Sequence, residues 1–529
     1  VKFSVVKEIP ITSVKDQNQS GTCWCYSTLA FLEAELLRKG KGTFDLCESF
    51  VVHHTMTDRA EASVRMHGDV SFAEGGSFYD VLYCMKNYGL VPQDAMPAPG
   101  SLQGDSLFNF SELSTVAGAV VNAIAKWKPE PGSRRRQITL SPIWKKNVEA
   151  IYDNYLGKLP ESFKYNGKTY WFVKDSVSYY DRQLQSLKST SSVNSAVLLL
   201  SWRDDLKRLI YPQGRHKGHS FYAWNTVDSS ARNQLQATLN FLARRYSSTN
   251  GKYGRIVNWI VGNEVNNYRT YNYAGSKTLN QYAKIYADQF RLAYNTLTSV
   301  YSNARVYISL DHLWNTNNVS GTFASRKMLD KFASKLRAGG NISWNLAYHP
   351  YSSPLTEPRF WANTNRQLTK SLSSPVINMG NIQILTNYIR QKYGSKTRII
   401  LSEQGYTSVQ NGKNVEKLQA AAIAYSYLIS ESNNMIDSLI IHRQVDHRAE
   451  ISQGLNLGLW TTSASSSSPE DAKSKKLSWS IYKYMDTSRS NSTTKSLVSS
   501  IGVTSWKQLI PSYSSKLYNK VSCTIGKLE

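Results

Sequence analysis

The sequence has no apolar run approaching the roughly eighteen residues that a membrane-spanning helix needs, so no membrane span is expected. Its greasiest stretches, SAVLLLSW and DSLIIH, have the length of buried strands. Cysteine is sparse: Cys23, Cys25, Cys47 and Cys84 fall in the first hundred residues, and none follows until Cys523. An odd count without zinc-type spacing argues against a disulfide framework or a metal site, and no metal or cofactor is expected. The opening VKFSVVKEIP has no initiator Met, charged n-region or apolar h-region, so no signal peptide is expected within this chain. Basic residues are scattered rather than interleaved with aromatics in a recognition motif, which argues against a nucleic-acid partner.

What is present points to two parts. The chain has 529 residues, beyond the size at which a single core keeps growing. The formal net charge of +25 is unevenly placed: residues 1–160 hold 17 basic and 17 acidic side chains, so the whole excess follows them. Such a field favours acidic partners, an anionic polysaccharide among them, although a basic face that only aids solubility has equal standing. The first part reads as helical, through CWCYSTLAFLEAELLRKG, VVHHTMTDRAEASVRMHG, a short helix ending at Gly89, and WKKNVEAIYDNYLG. Residues 92–137, rich in Pro and Gly and closing on Arg134–Arg136, read as loop or linker.

After about residue 165 the rhythm becomes alternating helix and buried strand. Six apolar segments, SAVLLLSW, RIVNWIVGNE, RVYISLDHLW, WNLAYHPY, TRIILSEQGY and DSLIIHRQVDH, are separated by one amphipathic helix each. That is the signature of a parallel α/β fold. The expected fold class is α/β, a TIM-type (β/α) barrel of which six strands are identified where closure needs eight. Residues 461–475 read as a low-complexity polar loop, and the Ser- and Tyr-rich end as outer helices. Four strands end in polar or aromatic clusters: GNE at 262–264, DHLW at 311–314, HPY at 349–351 and SEQGY at 402–406. In a (β/α) barrel such ends meet at one mouth. A buried strand that stops on a bare glutamate is costly unless the carboxylate faces a polar pocket. Two such glutamates, Glu264 and Glu403, are what glycoside hydrolysis requires, one to protonate the leaving oxygen and one to attack or to activate water.

Here the residues carry a resemblance. VNWIVGNEVNNY and IILSEQGY resemble strands four and seven of the large retaining-glycosidase clan with (β/α)8 barrels. The segment from YNGKTYWF through SWKQLI is similar to a bacterial family of uncharacterised secreted barrel domains, which implies a secreted or cell-surface protein. On this likeness Glu264 is the acid/base, Glu403 the nucleophile, Asn263 a ligand for the sugar 2-hydroxyl, and Tyr351 a neighbour of the nucleophile with His349 beside it. Asp311 joins them as a strand-end binding candidate. Trp202, Trp314 and Trp460 are candidate platforms for a sugar ring, because a flat apolar face suits an aromatic. His312, His442 and His447 also end strands, and structural roles are expected of them.

The opening segment carries a second resemblance. Gln17, Ser20, Gly21, Cys23 and Trp24 in DQNQSGTCW, with Gly75 and Gly76 in EGGSF, resemble the helical half of bleomycin-hydrolase-type papain-like cysteine peptidases. By that likeness Cys23 is a nucleophile and Gln17 an oxyanion-hole donor; a Cys at a helix N-terminus is physically suited to the thiolate state. The late His and Asn patterns of that family are absent from the sequence, so the module is incomplete as a peptidase. The two likenesses meet at FKYNGKTY, residues 163–170, as they would in a chimaera. The expected domains are 1–160, papain-like, and 161–529, glycosidase-like. The leading reading is a retaining glycoside hydrolase acting on a poly- or oligosaccharide; a cysteine peptidase and a non-catalytic binder of acidic glycans are the alternatives. Two missing strands would leave open sheet edges, an aggregation hazard.

Overall fold

The computed structural model describes residues 9–97, 110–127, 141, 143–172, 178–187, 193–247, 253–316, 320–463 and 471–518. The chain divides into two compact units, Val1–Lys174 and Asp175–Glu529. The boundary falls after the 163–170 segment, fourteen residues beyond the 160/161 division expected from sequence.

The first unit is built of helices α1 (Cys23–Arg38), α2 (Glu48–Arg65), α3 (Phe78–Asn87), α4 (Ser111–Ala125) and α5 (Ile143–Leu156). Helix α4 corrects the expectation of a linker over 92–137. Leu113, Ala117, Val121 and Ala125 recur at helical spacing and are buried. Arg134–Arg136 lie outside the described residues. The core gathers Trp24, Leu29, Phe50, Val51, Met56, Val81, Val148 and Tyr152, with the thiols of Cys25, Cys47 and Cys84 free among them. Strands β1 (Ser162–Tyr165) and β2 (Lys168–Trp171) form an antiparallel hairpin. Its turn is Asn166–Gly167, both at positive φ, the pairing that a two-residue hairpin turn demands. Phe163 and Phe172 pack on the helical core, which is why this hairpin belongs to the first unit.

The second unit begins with α6 (Ser178–Leu187) and then alternates: β3 (Ser195–Leu198), α7 (Ser229–Tyr246), β4 (Asn258–Val261), α8 (Leu279–Val300), β5 (Arg305–Asp311), α9 (Ser325–Ala338), β6 (Asn345–His349), α10 (Ile382–Tyr393), β7 (Ile399–Gln404), α11 (Glu416–Ser432) and β8 (Ile436–Ile441). The six strands form one parallel sheet in chain order, β8-β7-β6-β5-β4-β3. This curled sheet, with a helix after each of its first five strands, is a TIM-type (β/α) barrel arrangement with six strands among the described residues. Helix starts follow from local chemistry. Asp228 accepts a hydrogen bond from the Ala231 amide at the head of α7, and Thr278 with Gln281 forms a capping box at the head of α8.

Strand alternation sorts the side chains into two cores. Trp259, Val261, Val306, Ile308, Leu310, Leu346, Tyr348, Ile399 and Leu401 face the helices. Ile260, Tyr307, Ala347 and Ile400 form a separate buried row on the inner face. Toward the strand starts, the buried Asp437 of β8 binds Arg398 ahead of the adjacent β7 (3.0 Å to Nε) and Arg305 of β5 (2.8 Å), which is not its neighbour in the sheet. Two short strands, Trp460–Thr462 and Ala472–Lys475, pair antiparallel where a polar loop was expected; residues 464–470 lie outside the described residues. Helices at Leu477–Met485, Ser490–Thr494 and Trp506–Leu509 close the unit, as the sequence suggested.

Candidate active site

Each strand-end cluster in the second unit sits at the C-terminal side of the sheet, and three of them converge on one imidazole. His349, the last residue of β6, places Nδ1 2.9 Å from Glu264 Oε1 and 3.1 Å from Glu403 Oε2. One ligand atom from each of these three side chains lies within 4.8 Å of the others. The glutamates therefore come from different strand ends, β4 and β7, yet face each other across a histidine that is almost fully buried.

The GNE turn explains how Glu264 arrives there. Gly262 is at φ +78, and a Cβ on it would lie 2.7 Å from Val265 Cγ1, so only glycine fits. Glu264 itself is at φ +38, a region that non-glycine residues occupy sparingly. The turn is held by β5: the Glu264 amide donates to Ser309 Oγ (3.0 Å) and the Val265 amide to the Ser309 carbonyl (2.9 Å). On its other nitrogen His349 meets Ser402 Oγ at 3.0 Å and Ser309 Oγ at 3.4 Å.

Electrostatics follow from this packing. Burial pulls His349 toward neutrality, but hydrogen bonds and charge from Glu264 and Glu403 outweigh it and raise its pKa to about 10. Burial alone would raise Glu403; the His349 hydrogen bond and charge, with His442 and Arg443, overturn that and hold its carboxyl below the usual range. The cluster thus sets an imidazolium between the side chains of two glutamates. The Tyr271 hydroxyl is pushed up to about 12 by burial and then by Glu264, Glu403 and Asp311. Burial also raises Tyr351, followed by Glu403 and Glu264. His442, at the end of β8, lies 3.8 Å from Glu403 Oε1 through Nδ1 and 3.0 Å from Glu450 through Nε2. Arg443 reaches the same Glu450 oxygen at 3.2 Å. His442 is thus part of the cluster and not only structural.

The remaining candidates divide. Asn263 is half-buried beside Glu264, and among the described residues its carboxamide has no hydrogen-bond partner. Tyr351 borders both glutamates electrostatically. Asp311 is buried and occupied, accepting from the Leu313 amide (2.9 Å) and Ser325 Oγ (2.8 Å), so it fastens β5 to α9. Trp314 is fully buried, packed edge-on against Tyr388, which removes it as a platform. Trp202 gives its indole N–H to Asp204 (3.0 Å) with Lys217 over the ring, and Trp460 packs on Trp479 with Lys475 over it. Ser309 and Ser402 were missed from sequence, since a strand serine carries no distinguishing signal. Glu264, His349 and Glu403 are close enough to share a divalent cation, the one such group found among the described residues.

In the first unit, Cys23 is exposed at the first residue of α1, and Gln17 donates to the Ser20 carbonyl (2.8 Å). Gly21 and Trp24 are clasped by the 74–76 loop: Glu74 accepts from the Trp24 indole (2.9 Å), and a Cβ on Gly76 would lie 2.6 Å from that ring. Cys23 Sγ has no hydrogen-bond partner among the described residues, so no base is placed on it there. His53 is buried and bound to Asp153 instead (2.9 Å).

The second unit is thus a TIM-type (β/α) barrel arrangement whose strand ends gather two glutamates and a histidine. The chain belongs to the family of unknown function DUF5722, whose profile matches residues 146–509. That match starts inside α5, ahead of FKYNGKTY. Aminopeptidase G of Lactobacillus delbrueckii subsp. lactis is 28% identical over 132 residues, covering 22% of this chain and 28% of that protein. The chain therefore spans under a third of that relative. Among solved structures, it is similar to a glucosidase from Croceicoccus marinus (13% identity, 58% of this chain and 51% of that chain, TM-score 0.37). It is also similar to the endo-1,4-beta-mannanase from Rhizomucor miehei (13% identity, 58% and 78%, TM-score 0.34).

Proposed function

We propose that the second unit is a retaining glycoside hydrolase, with Glu403 as nucleophile and Glu264 as acid/base. The observation that carries this reading is the approach of the two carboxylates, with oxygens within 4.8 Å on separate strand ends. Retaining enzymes hold their carboxyl groups about 5–5.5 Å apart, whereas inverting ones leave about 6.5–9.5 Å for a water. Glu403, kept ionised by His349, attacks the anomeric carbon and forms a glycosyl ester, while Glu264 protonates the departing oxygen. Ester formation removes the Glu403 charge, and the leaving group departs with the Glu264 proton. Glu264, having given up that proton, then takes one from the water that cleaves the ester. Asn263, with its free carboxamide, is the candidate ligand for the sugar 2-hydroxyl, and Trp460 and Trp202 are candidate platforms. The substrate is a poly- or oligosaccharide, for which the basic excess of the second unit favours anionic groups.

The test is covalent trapping. A panel of 2-deoxy-2-fluoroglycosides should add one glycosyl mass to the protein, on the peptide that contains Glu403, and Glu403→Gln should abolish the adduct. Cleavage with inverted anomeric configuration would rule out the retaining mechanism. Loss of hydrolysis on chelation would instead place a cation between the three side chains.

A further inference from the structure

We infer that Ser309 is a positioning residue for this site, locking the Glu264 turn and the His349 ring into one unit. It lies on β5, between the strand that delivers Glu264 and the strand that ends in His349. Its side chain is fully buried, so its partners are the groups packed around it. Its Oγ accepts from the Glu264 amide at 3.0 Å and stands 3.4 Å from His349 Nε2, while its carbonyl accepts from the Val265 amide at 2.9 Å. Two successive amides of the turn are thus anchored to one residue of the neighbouring strand. The anchored residue is at φ +38, a conformation that persists only where surroundings enforce it. Ser402 Oγ, next to Glu403, meets the same Nε2 at 3.0 Å from β7. With both hydroxyls on Nε2, the ring is fixed so that Nδ1 is aimed between Glu264 Oε1 and Glu403 Oε2. A serine that served only its own strand would have no reason to reach both the acid/base backbone and the imidazole.

The catalytic part of this inference rests on the glycosidase reading; the placement of the His349 ring does not. Removing the hydroxyl leaves the Glu264 amide without its acceptor and loosens the ring. Misplacement of about 1 Å can cost on the order of 100-fold in rate without weakening substrate binding. In the full chain, Ser309→Ala should lower kcat by about 10- to 100-fold with KM within about twofold, on whichever aryl glycoside the wild type hydrolyses. Ser309→Thr, which keeps Oγ, should restore most of the rate. Nitrogen-15 imidazole resonances of His349, assigned with His349→Gln, should move in Ser309→Ala and stay near wild type in Ser309→Thr. An unchanged kcat, or a KM that rises in step with the fall in rate, would overturn the positioning role. Unmoved His349 resonances in a folded Ser309→Ala protein would overturn it independently. If the wild type cleaves no glycoside, the glycosidase reading fails, and the resonances alone decide whether Ser309 sets the ring.

Discussion

The two glutamates differ in surroundings, and that difference yields separable kinetic signatures. Glu403 is held ionised by His349, His442 and Arg443, as the proposed role of nucleophile would require. Replacing it with Gln should cost on the order of 1,000-fold or more on every substrate, since no ester can form. Glu264→Gln should cost about 100- to 10,000-fold on glycosides with poor leaving groups. On dinitrophenyl glycosides, which leave without a proton, its glycosylation step should be nearly untouched. Equal losses across leaving groups would refute the acid role. His349 also sets a pH signature in stability. Its folded pKa, about 10, lies above its unfolded value of about 6.5. Its contribution is therefore fully present below pH 6.5 and is lost as pH rises toward 10. Glu403 has the opposite sign, its contribution fading as pH falls through its depressed pKa. The thermal midpoint of the wild type should drop between pH 7 and 10 relative to that of His349→Gln; parallel curves would count against the shared imidazolium.

At the level of elements, the strands hold together through their inner rows and through the Asp437 cluster at their starts. Asp437 is buried against Arg305 and Arg398, so Asp437→Ala would strand two cations, at a cost of about 3–5 kcal/mol. Urea denaturation of the second unit's signal should show that loss, and a change below about 1 kcal/mol would mean that water compensates the arginines. The six strands were legible from sequence as apolar runs; the central four, β4 to β7, are largely buried on both faces, and three of them end abruptly at Glu264, His349 and Glu403. Helix α4 was not. Its four buried residues were averaged into a Pro- and Gly-rich window, although Leu113, Ala117, Val121 and Ala125 already stood at helical spacing. The Asn166–Gly167 pair is a hairpin signal in the sequence, and it forms the turn between β1 and β2. Which of the thirteen tryptophans faces solvent is not written in the sequence, because Trp202 and Trp314 both follow strands and only packing tells them apart. Ser309 and His442 acquire their meaning from side chains on neighbouring strands, about forty residues away along the chain.

On the scale of the whole second unit, hydrophobic edge and net charge act against each other. Among the described residues β3 pairs on one side only, with β4. Val197 is aligned with Ile260, which is aligned with Tyr307, so the three share the inner row. Yet Val197 is 46% exposed where Ile260 is 2% and Tyr307 0%, and Leu199 just beyond the strand is 41% exposed. An apolar edge with free backbone donors and acceptors is a template for a further strand. Self-association by that route must bring together chains that each carry a formal charge of +25. At about 0.01 M salt the Debye length is about 30 Å and that repulsion reaches across a contact; at about 1 M it shrinks to about 3 Å, leaving the apolar edge to act. Sedimentation velocity should therefore show association that grows with salt, opposite to the behaviour of contacts made by ion pairs. Val197→Lys, which puts a charge on the strand face, should suppress it while sparing Glu264 and Glu403, which belong to other strands. A wild type that stays monomeric at high salt, or association that Val197→Lys leaves unchanged, would show that the β3 edge is not the adhesive surface.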